Sequence, residues 1–211
     1  MKIWRLYKMG LSIHYGGKFN KNAILSDLIT EVKEIAEIFK WDYKIYQEAF
    51  PVDNNENQSY DGKVYGISFT PPECETISIC FLSNYRMSSN VHLKFYGHSE
   101  NQPESDFLYM LSTKTQFSGT AIHKTIIELF RYLNNKNYFK QFNLTDEGEY
   151  WETRNEKLLE QKFKENGDLI DNFSIAIETI PVKQGESFDN YFERILRIID
   201  DRNKKTESTK A

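Results

Sequence analysis

The segment richest in side chains able to do chemistry is Asp146–Glu152, which reads DEGEYWE. If the segment is extended, alternate residues share a face, so Glu147, Glu149 and Trp151 lie on one side and Tyr150 on the other. Neighbouring carboxylates raise each other's pKa, which is one route to a general acid or a cation site, and an indole beside them can stack on a sugar or a cationic group. A solvated turn before a helix, with the indole at the core edge and a T-x-x-E capping box after it, explains the same letters. We favour the structural explanation and keep these four side chains as binding candidates.

A second candidate is the proline-containing loop of residues 70–76, which reads TPPECET. Prolines restrict the backbone, and rigid loops between strands often carry binding residues, so Glu73 and Glu75 are binding candidates. A stiff connection that prevents edge pairing explains the same residues, and we favour it. Cys74 has no basic neighbour in sequence to lower the pKa of its thiol, so nucleophilic catalysis has little support.

The cysteines and histidines indicate neither a disulfide nor a metal site. Cys74 and Cys80 would lie about 20 Å apart in an extended segment, whereas a disulfide tolerates at most ~7 Å between Cα atoms. We therefore expect free thiols and a reducing compartment. The four histidines (His14, His92, His98 and His123) never stand four apart, as a zinc pair on one helix requires. No glycine-rich phosphate loop, nucleophile elbow, or zinc or calcium motif occurs, and we expect no cofactor.

The charge balance argues against a dedicated nucleic-acid-binding protein. The 27 basic and 31 acidic residues give a net charge of −4 and a pI near 5.7, the wrong sign for displacing counterions from phosphates. Stacking of single-stranded nucleic acid on aromatic residues is the weakest hypothesis that we retain. No apolar run approaches the ~20 residues that span a bilayer, and charges interrupt the first ten residues, so no membrane partner and a cytoplasmic location are expected.

Residues 146–201 contain fifteen acidic and seven basic side chains, and therefore carry a net charge of −8. Such asymmetry marks either a surface for a basic partner or the solvated side of amphipathic helices, and we favour the second explanation.

Hydrophobic periodicity predicts the elements that position these residues. Apolar residues alternate in seven predicted strands and recur at helical spacing in five predicted helices. The strands lie near residues 11–15, 41–45, 65–69, 77–82, 91–95, 109–113 and 142–144, and the helices near 25–39, 122–133, 158–163, 169–180 and 188–199. Strand 77–82 is apolar on both faces, which favours a central position in the sheet, and Asn166–Gly167 is expected to end a helix.

These elements predict a single α+β domain over residues 1–201. We expect a mixed, largely antiparallel sheet of about seven or eight strands, two long helices packed on it, a helical segment over 154–201 and a flexible tail over 202–211. Residues 11–46 and 109–145 both run strand, helix, strand, which raises the hypothesis of a duplicated β-α-β block.

The sequence favours a non-enzymatic, cytoplasmic binding or regulatory protein that acts through a protein or a small ligand. The alternative is a hydrolase-like enzyme in which Glu147 and Glu149 share a proton or hold a divalent cation. The identity of the ligand and the oligomeric state do not follow from the sequence.

Overall fold

The computed structural model describes residues 10–51, 60–97 and 106–208, with side chains described as far as residue 199. The strands are β1 (Ser12–Phe19), β2 (Asp42–Ile45), β3 (Tyr65–Thr70), β4 (Ile77–Phe81), β5 (Leu111–Lys114) and β6 (Phe139–Asp146). The helices are α1 (Leu25–Ile38), α2 (Asn90–Tyr96), α3 (Gly119–Asn135), α4 (Tyr150–Thr153), α5 (Glu156–Thr179) and α6 (Phe188–Ser208), and a 3₁₀ turn covers Phe107–Tyr109.

The first sheet has the order β5-β1-β6, and both outer strands run antiparallel to β1. Side chains alternate along β1, so Ile13, Tyr15 and Phe19 are buried. Helix α3 packs on this buried face, where the Phe130 ring lies 4.7 Å from that of Tyr15. Gly17 permits the close pairing of β1 and β6, because a Cβ there would stand 2.1 Å from a backbone oxygen of β6.

The second sheet has the order β2-β3-β4 and is also antiparallel. Helix α1 covers one face of it, and buried side chains from this sheet, from α1 and from the first sheet form one hydrophobic cluster. The segment after β4 joins the sheets, since Met87 N donates to Gly17 O and Phe19 N donates to Tyr85 O. The α+β class is confirmed.

The prediction of one sheet of seven or eight strands was wrong, because the described residues form two sheets of three strands each. Residues 91–95 were predicted as a strand but belong to α2, where Ser89 Oγ accepts the backbone N–H of His92 as a helix cap. The alternating apolar residues do not form a buried face: Leu93 is buried, but Val91 and Phe95 are 60% and 69% exposed.

Strand β4 was expected to be central, and that prediction was also wrong, since β3 lies between β2 and β4. All five residues of β4 are nevertheless buried. One face meets the main cluster, and Cys80 on the other face packs with Leu93 and Leu108 beside α2 and the 3₁₀ turn. Both faces of β4 are therefore buried because a hydrophobic cluster packs on each side of the sheet, although β4 is not the central strand.

The prediction that a helix ends at Asn166–Gly167 was wrong, because α5 runs through both residues. Glycine inside a helix costs only about 1 kcal/mol, and the apolar face continues beyond it. The helix begins with Asn155, whose Oδ1 accepts Leu158 N, and not with the expected capping box at Thr153. Helices α5 and α6 form a hairpin with a small core of its own, made of Phe173, Ala176, Tyr191, Ile195 and Ile199.

Helix α6 continues to Ser208, so the backbone of residues 202–208 is helical where we expected a flexible tail. Residues 209–211 lie outside the described residues. Within the described part of the chain, no helix combines the length and the apolar character needed to cross a membrane.

The two strand-helix-strand blocks place their strands differently. Strands β5 and β6 lie in one sheet with β1 between them, whereas β1 and β2 lie in different sheets. The two blocks therefore share the order of their elements along the chain but not the placement of their strands, and an internal duplication stays a hypothesis.

Candidate functional site

A cleft of about 560 Å³ lies on the face of the second sheet opposite α1. Because side chains alternate along a strand, residues between the buried apolar positions of β3 and β4 face the cleft. Lys44 stands opposite Ser68, and Ser68 stands opposite Ser78, so these three side chains form one row across the sheet. The two serines of this row are small and polar, unlike the apolar residues on the face of the sheet that α1 covers.

A second row lies beside the first along the strands. Asp42 of β2 stands opposite Thr70 of β3, and the Thr70 hydroxyl lies 2.8 Å from that of Thr76. The floor of the cleft is therefore a sheet surface lined by hydroxyl groups, with one carboxylate and one ammonium group at the β2 edge. Ser68 and Ser78 are buried at the base of the cleft, whereas Thr70 and Thr76 are more exposed.

The opposite wall contains Tyr15, the beginning of α2 and the beginning of β5. Tyr15 Oη accepts the backbone N–H of Ser78 at 2.8 Å, and burial raises the pKa of this phenol. His92 is half-buried, and its Nδ1 lies 2.7 Å from Ser89 Oγ. Burial lowers the pKa of His92, while a hydrogen bond with the backbone of Met110 acts in the opposite direction. The lowered pKa favours the neutral form of the ring.

Among the described residues that line the cleft, the charged groups are Asp42, Glu75 and Lys44. The carboxylate of Glu75 accepts the backbone N–H of Lys114 at 2.8 Å, which holds it at the β5 side. With His92 neutral, two carboxylates face one ammonium group. This balance favours neutral or zwitterionic ligands over anions.

The Ser89–His92 pair contains a hydroxyl and an imidazole at the distance seen in activated nucleophiles. The same Ser89 Oγ also accepts the backbone N–H of His92 at 3.0 Å, which is the bond that caps α2. The local capping geometry accounts for the pair.

The structure assigns the predicted carboxylates of residues 147 and 149 to different partners. Glu147 Oε2 accepts the backbone N–H of Ser12 at 2.9 Å, and Glu147 Oε1 lies 3.5 Å from His14 Nε2. Glu149 forms an ion pair with Lys162 at 2.7 Å. Each carboxylate is balanced separately, so this arrangement does not favour a shared proton.

Tyr150 and Trp151 surround the guanidinium group of Arg131. This group lies 5.5 Å from the Tyr150 ring and 5.1 Å from the Trp151 ring, and it donates to the backbone carbonyls of both residues. The Trp151 ring also packs edge-on against Phe142. These contacts join α3 to α4 at the edge of the core.

The loop candidates Glu73 and Glu75 are both exposed, but they differ in backbone conformation and in their contacts. Glu73 occupies a left-handed turn with φ of 54°. Glu75 N donates to Lys114 O, so the loop is tied to β5. Between them, burial raises the pKa of the Cys74 thiol, which opposes nucleophile activation. Of the two loop candidates, Glu75 lines the cleft and Glu73 does not.

Cys74 and Cys80 are free thiols, as predicted. Among the described residues, no group of three or more histidine, cysteine, aspartate or glutamate side chains is arranged to hold a metal ion. His98 lies outside the described residues.

Sequence reasoning missed a sealed polar cluster made of Thr115, His123 and Asp146. Thr115 Oγ1 lies 2.6 Å from His123 Nδ1, and His123 Nε2 lies 2.9 Å from Asp146 Oδ1, although the ring N–H does not meet the carboxylate in hydrogen-bond geometry. The side chains of His123 and Asp146 are fully buried. The carboxylate accepts three backbone N–H groups, from Gly148, Tyr150 and Trp151.

Sequence reasoning also missed the cleft, although one signal was available. Four small hydroxyl side chains follow one another on this face: Ser68 and Thr70 of β3, Thr76 just before β4, and Ser78 of β4. Gly66 and Cys80 occupy the next pair of positions on the same face. Such hydroxyl side chains on an otherwise buried sheet indicate a face that stays in contact with water or a ligand.

Comparison with known proteins identifies no relative: no family model matches the chain, and neither a curated protein nor a solved structure matches it. Inference about function therefore depends on the geometry and chemistry of the chain itself.

Proposed function

We propose that this is a non-enzymatic binding protein whose cleft takes a small, hydroxyl-rich and uncharged or zwitterionic ligand. The observation that carries the proposal is the pair of cross-strand rows at the cleft floor, which present hydroxyl groups of Ser68, Ser78, Thr70 and Thr76 on a rigid sheet. Hydroxyl groups both donate and accept hydrogen bonds, so they suit a ligand that does the same. The volume of about 560 Å³ lies within the ~300–1,000 Å³ typical of small-molecule sites.

The charges support the choice of ligand class. Asp42 and Glu75 outnumber Lys44, so an anionic ligand would meet net repulsion. Carboxylates accept hydrogen bonds strongly from hydroxyl or ammonium donors. Sugars, polyols and amino acids meet these requirements.

The positions of the reactive groups favour binding over catalysis. The Ser89 hydroxyl is engaged in capping α2, and burial raises the pKa of the Cys74 thiol, which disfavours the thiolate nucleophile.

Ligand-observed NMR with a panel of monosaccharides, polyols and amino acids tests the proposal. Asn90 is exposed at the start of α2 and lines the cleft, so Asn90→Trp should fill the entrance. Lys94 is exposed on the same helix and does not line the cleft, so Lys94→Trp is the matched control. We expect at least one panel member to bind the natural protein and the Lys94→Trp variant but not Asn90→Trp. The absence of binding at millimolar concentrations, or binding that both variants retain, would overturn the proposal.

A further inference from the structure

Within the described part of the chain, the face of the first sheet opposite α3, here called the open face, contains two hollows whose linings differ chemically from that of the cleft. Residues between the buried positions of β1 point there, namely His14, Gly16 and Lys18. They pair across the sheet with Thr145, Asn143 and Gln141 of β6. This face of β1 and β6 therefore carries the imidazole of His14, the amides of Asn143 and Gln141 and the ammonium group of Lys18, and Gly16 lies between His14 and Lys18 on β1.

One end of this open face is a hollow of about 360 Å³, which we term the cationic hollow, lined by Gly16, Gly17, Lys18, Arg86, Tyr109, Gln141 and Asn143. Lys18 and Arg86 are neighbours across a β-bridge. Within the described part of the chain, no acidic side chain lines the hollow and neither cation has an ion-pair partner. Two adjacent, unneutralised cations in a chain of net charge −4 are an unusual concentration of positive potential.

The guanidinium group of Arg86 is held in place before any ligand arrives. It lies 3.3 Å from the centre of the Tyr109 ring. The buried Asn84 accepts the backbone N–H of Arg86 and donates to Tyr109 Oη, so it positions both residues. A stacked guanidinium keeps its N–H groups free for an anion, and its planar fork suits phosphate oxygens.

The other end of the face is a hollow of about 430 Å³ with apolar and aromatic walls, and it shares Gly16 and Asn143 with the cationic hollow. Phe107 and Met110 line it and are 46% and 60% exposed. The Phe107 ring packs 5.6 Å from that of Tyr96, which limits its motion. His14 Nε2 at this end lies 3.5 Å from Glu147 Oε1. Among the described residues that line the two hollows, the lysine and arginine side chains are Lys18 and Arg86, both in the cationic hollow.

The geometry points to a binding site for a mononucleotide on this open face, with the phosphate at Lys18 and Arg86 and the base against Phe107 and Met110. Lys18 and His14 are four residues apart on β1, or about 13 Å, which matches the length of an extended mononucleotide. The amides of Gln141 and Asn143 line the cationic hollow and can donate to or accept from the hydroxyl groups of the sugar. The single compact pair of cations fits one phosphate group better than a polyanionic strand, which requires a longer basic track.

The test is ¹H–¹⁵N NMR titration with adenosine monophosphate, and with inorganic phosphate, adenosine and a single-stranded ten-nucleotide oligonucleotide as separate arms. We expect adenosine monophosphate to shift the amides of residues 16–18 and 86 and to bind more tightly than phosphate or adenosine alone. The Lys18→Gln, Arg86→Gln double variant should weaken its affinity by about tenfold or more, because charge-assisted hydrogen bonds are lost. Lys33→Gln on α1 is the matched control and should have no effect.

Four results would overturn the inference: no amide shifts with adenosine monophosphate, affinity unchanged in the double variant, phosphate binding as tightly as the nucleotide, or the oligonucleotide binding far more tightly than the nucleotide. Both substituted side chains lie outside the core, so loss of folding is not expected, and a one-dimensional spectrum checks it. Asn90 lines the cleft but neither hollow, so the Asn90→Trp variant should leave nucleotide binding intact. The two proposals can therefore fail independently.

Discussion

Two histidines of this fold make the same contact in opposite surroundings. His123 Nδ1 lies 2.6 Å from Thr115 Oγ1, and His92 Nδ1 lies 2.7 Å from Ser89 Oγ. The His123 ring is fully buried beside the carboxylate of Asp146, whereas the His92 ring borders the cleft. The Thr115–His123 pair is thus buried beside a carboxylate, whereas the Ser89–His92 pair lies at the edge of the cleft.

The difference indicates which polar groups support the fold and which are free to meet a ligand. A buried carboxylate is tolerated only when donors surround it, and those of Asp146 come from α4 and the turn before it. The sealed cluster therefore ties the end of β6 to α3, to α4 and to Thr115, the residue that follows β5. The His92 pair belongs to a single turn of α2, so its removal should have a local effect.

The largest expected effect is that of Asp146→Ala. The substitution leaves three backbone N–H groups without their acceptor in a buried site and removes the carboxylate beside His123, which should cost about 3–5 kcal/mol of unfolding free energy. Urea denaturation measures it. Glu152→Ala, an exposed change in α4, is the control and should stay within about 0.5 kcal/mol. A loss below about 1 kcal/mol for Asp146→Ala would show that the cluster does not hold the fold together.

The carboxylate of Asp146 should also make the free energy of unfolding depend on pH in the acidic range. Burial raises the pKa of Asp146, but the contact with His123 and the backbone donors outweigh it, so the pKa lies below its ordinary value of 3.8. A lowered pKa stabilises the fold fully above that ordinary value and progressively less as the pH falls through the folded-state pKa. The stability difference between the natural protein and Asp146→Ala should therefore be constant near neutral pH and shrink below about pH 4. Denaturation curves from pH 2 to 7 check this, and a difference that does not change with pH would contradict it.

Gly148→Ala should disturb the sealed cluster less severely. A Cβ at this position would stand 2.6 Å from Leu159 Cδ1 and 3.0 Å from His123 Nε2. Such overpacking costs about 1–3 kcal/mol, measured by urea denaturation. Gly167→Ala in α5 is a control of opposite sign, because nothing lies within 4 Å of its added Cβ and alanine is the better helix former by about 1 kcal/mol. Equal changes in the free energy of unfolding for Gly148→Ala and Gly167→Ala would contradict this prediction, because the added Cβ is crowded at the first position and unhindered at the second.

Periodicity located most elements correctly because it records burial. Ile67 and Phe69 alternate in β3, and Leu28 and Val32 recur at helical spacing in α1. It could not say which strands pair, since pairing depends on contacts between residues far apart in sequence. It also failed at Val91 and Phe95, whose alternation marks no buried face, and at Gly167, where a local helix-breaking signal is weaker than the packing of the hairpin.

The candidate sites were less predictable than the fold. Glu75 was identified from its loop, but its neighbours in the cleft come from β1, β2, β3, β4, β5 and α2, which only the tertiary structure brings together. Asp146 was recognised as part of an acidic segment, yet nothing local showed that its partner His123 stands 23 positions earlier. Lys18 and Arg86 lie 68 positions apart and meet across a single bridge.

The smallest expected effect concerns the Ser89–His92 pair. Ser89→Ala removes the cap of α2 and should cost about 1 kcal/mol, whereas Ser89→Thr should retain most of it, because threonine is also an effective cap. The loss of the 2.7 Å contact with Nδ1 should also change the ¹⁵N shifts of the His92 ring in Ser89→Ala but leave those of His123 unchanged. Urea denaturation and ring ¹⁵N NMR measure the two effects. A destabilisation as large as that of Asp146→Ala would mean that the cleft-side pair supports the whole fold, and the contrast between the two histidines would no longer distinguish a structural from a ligand-facing group.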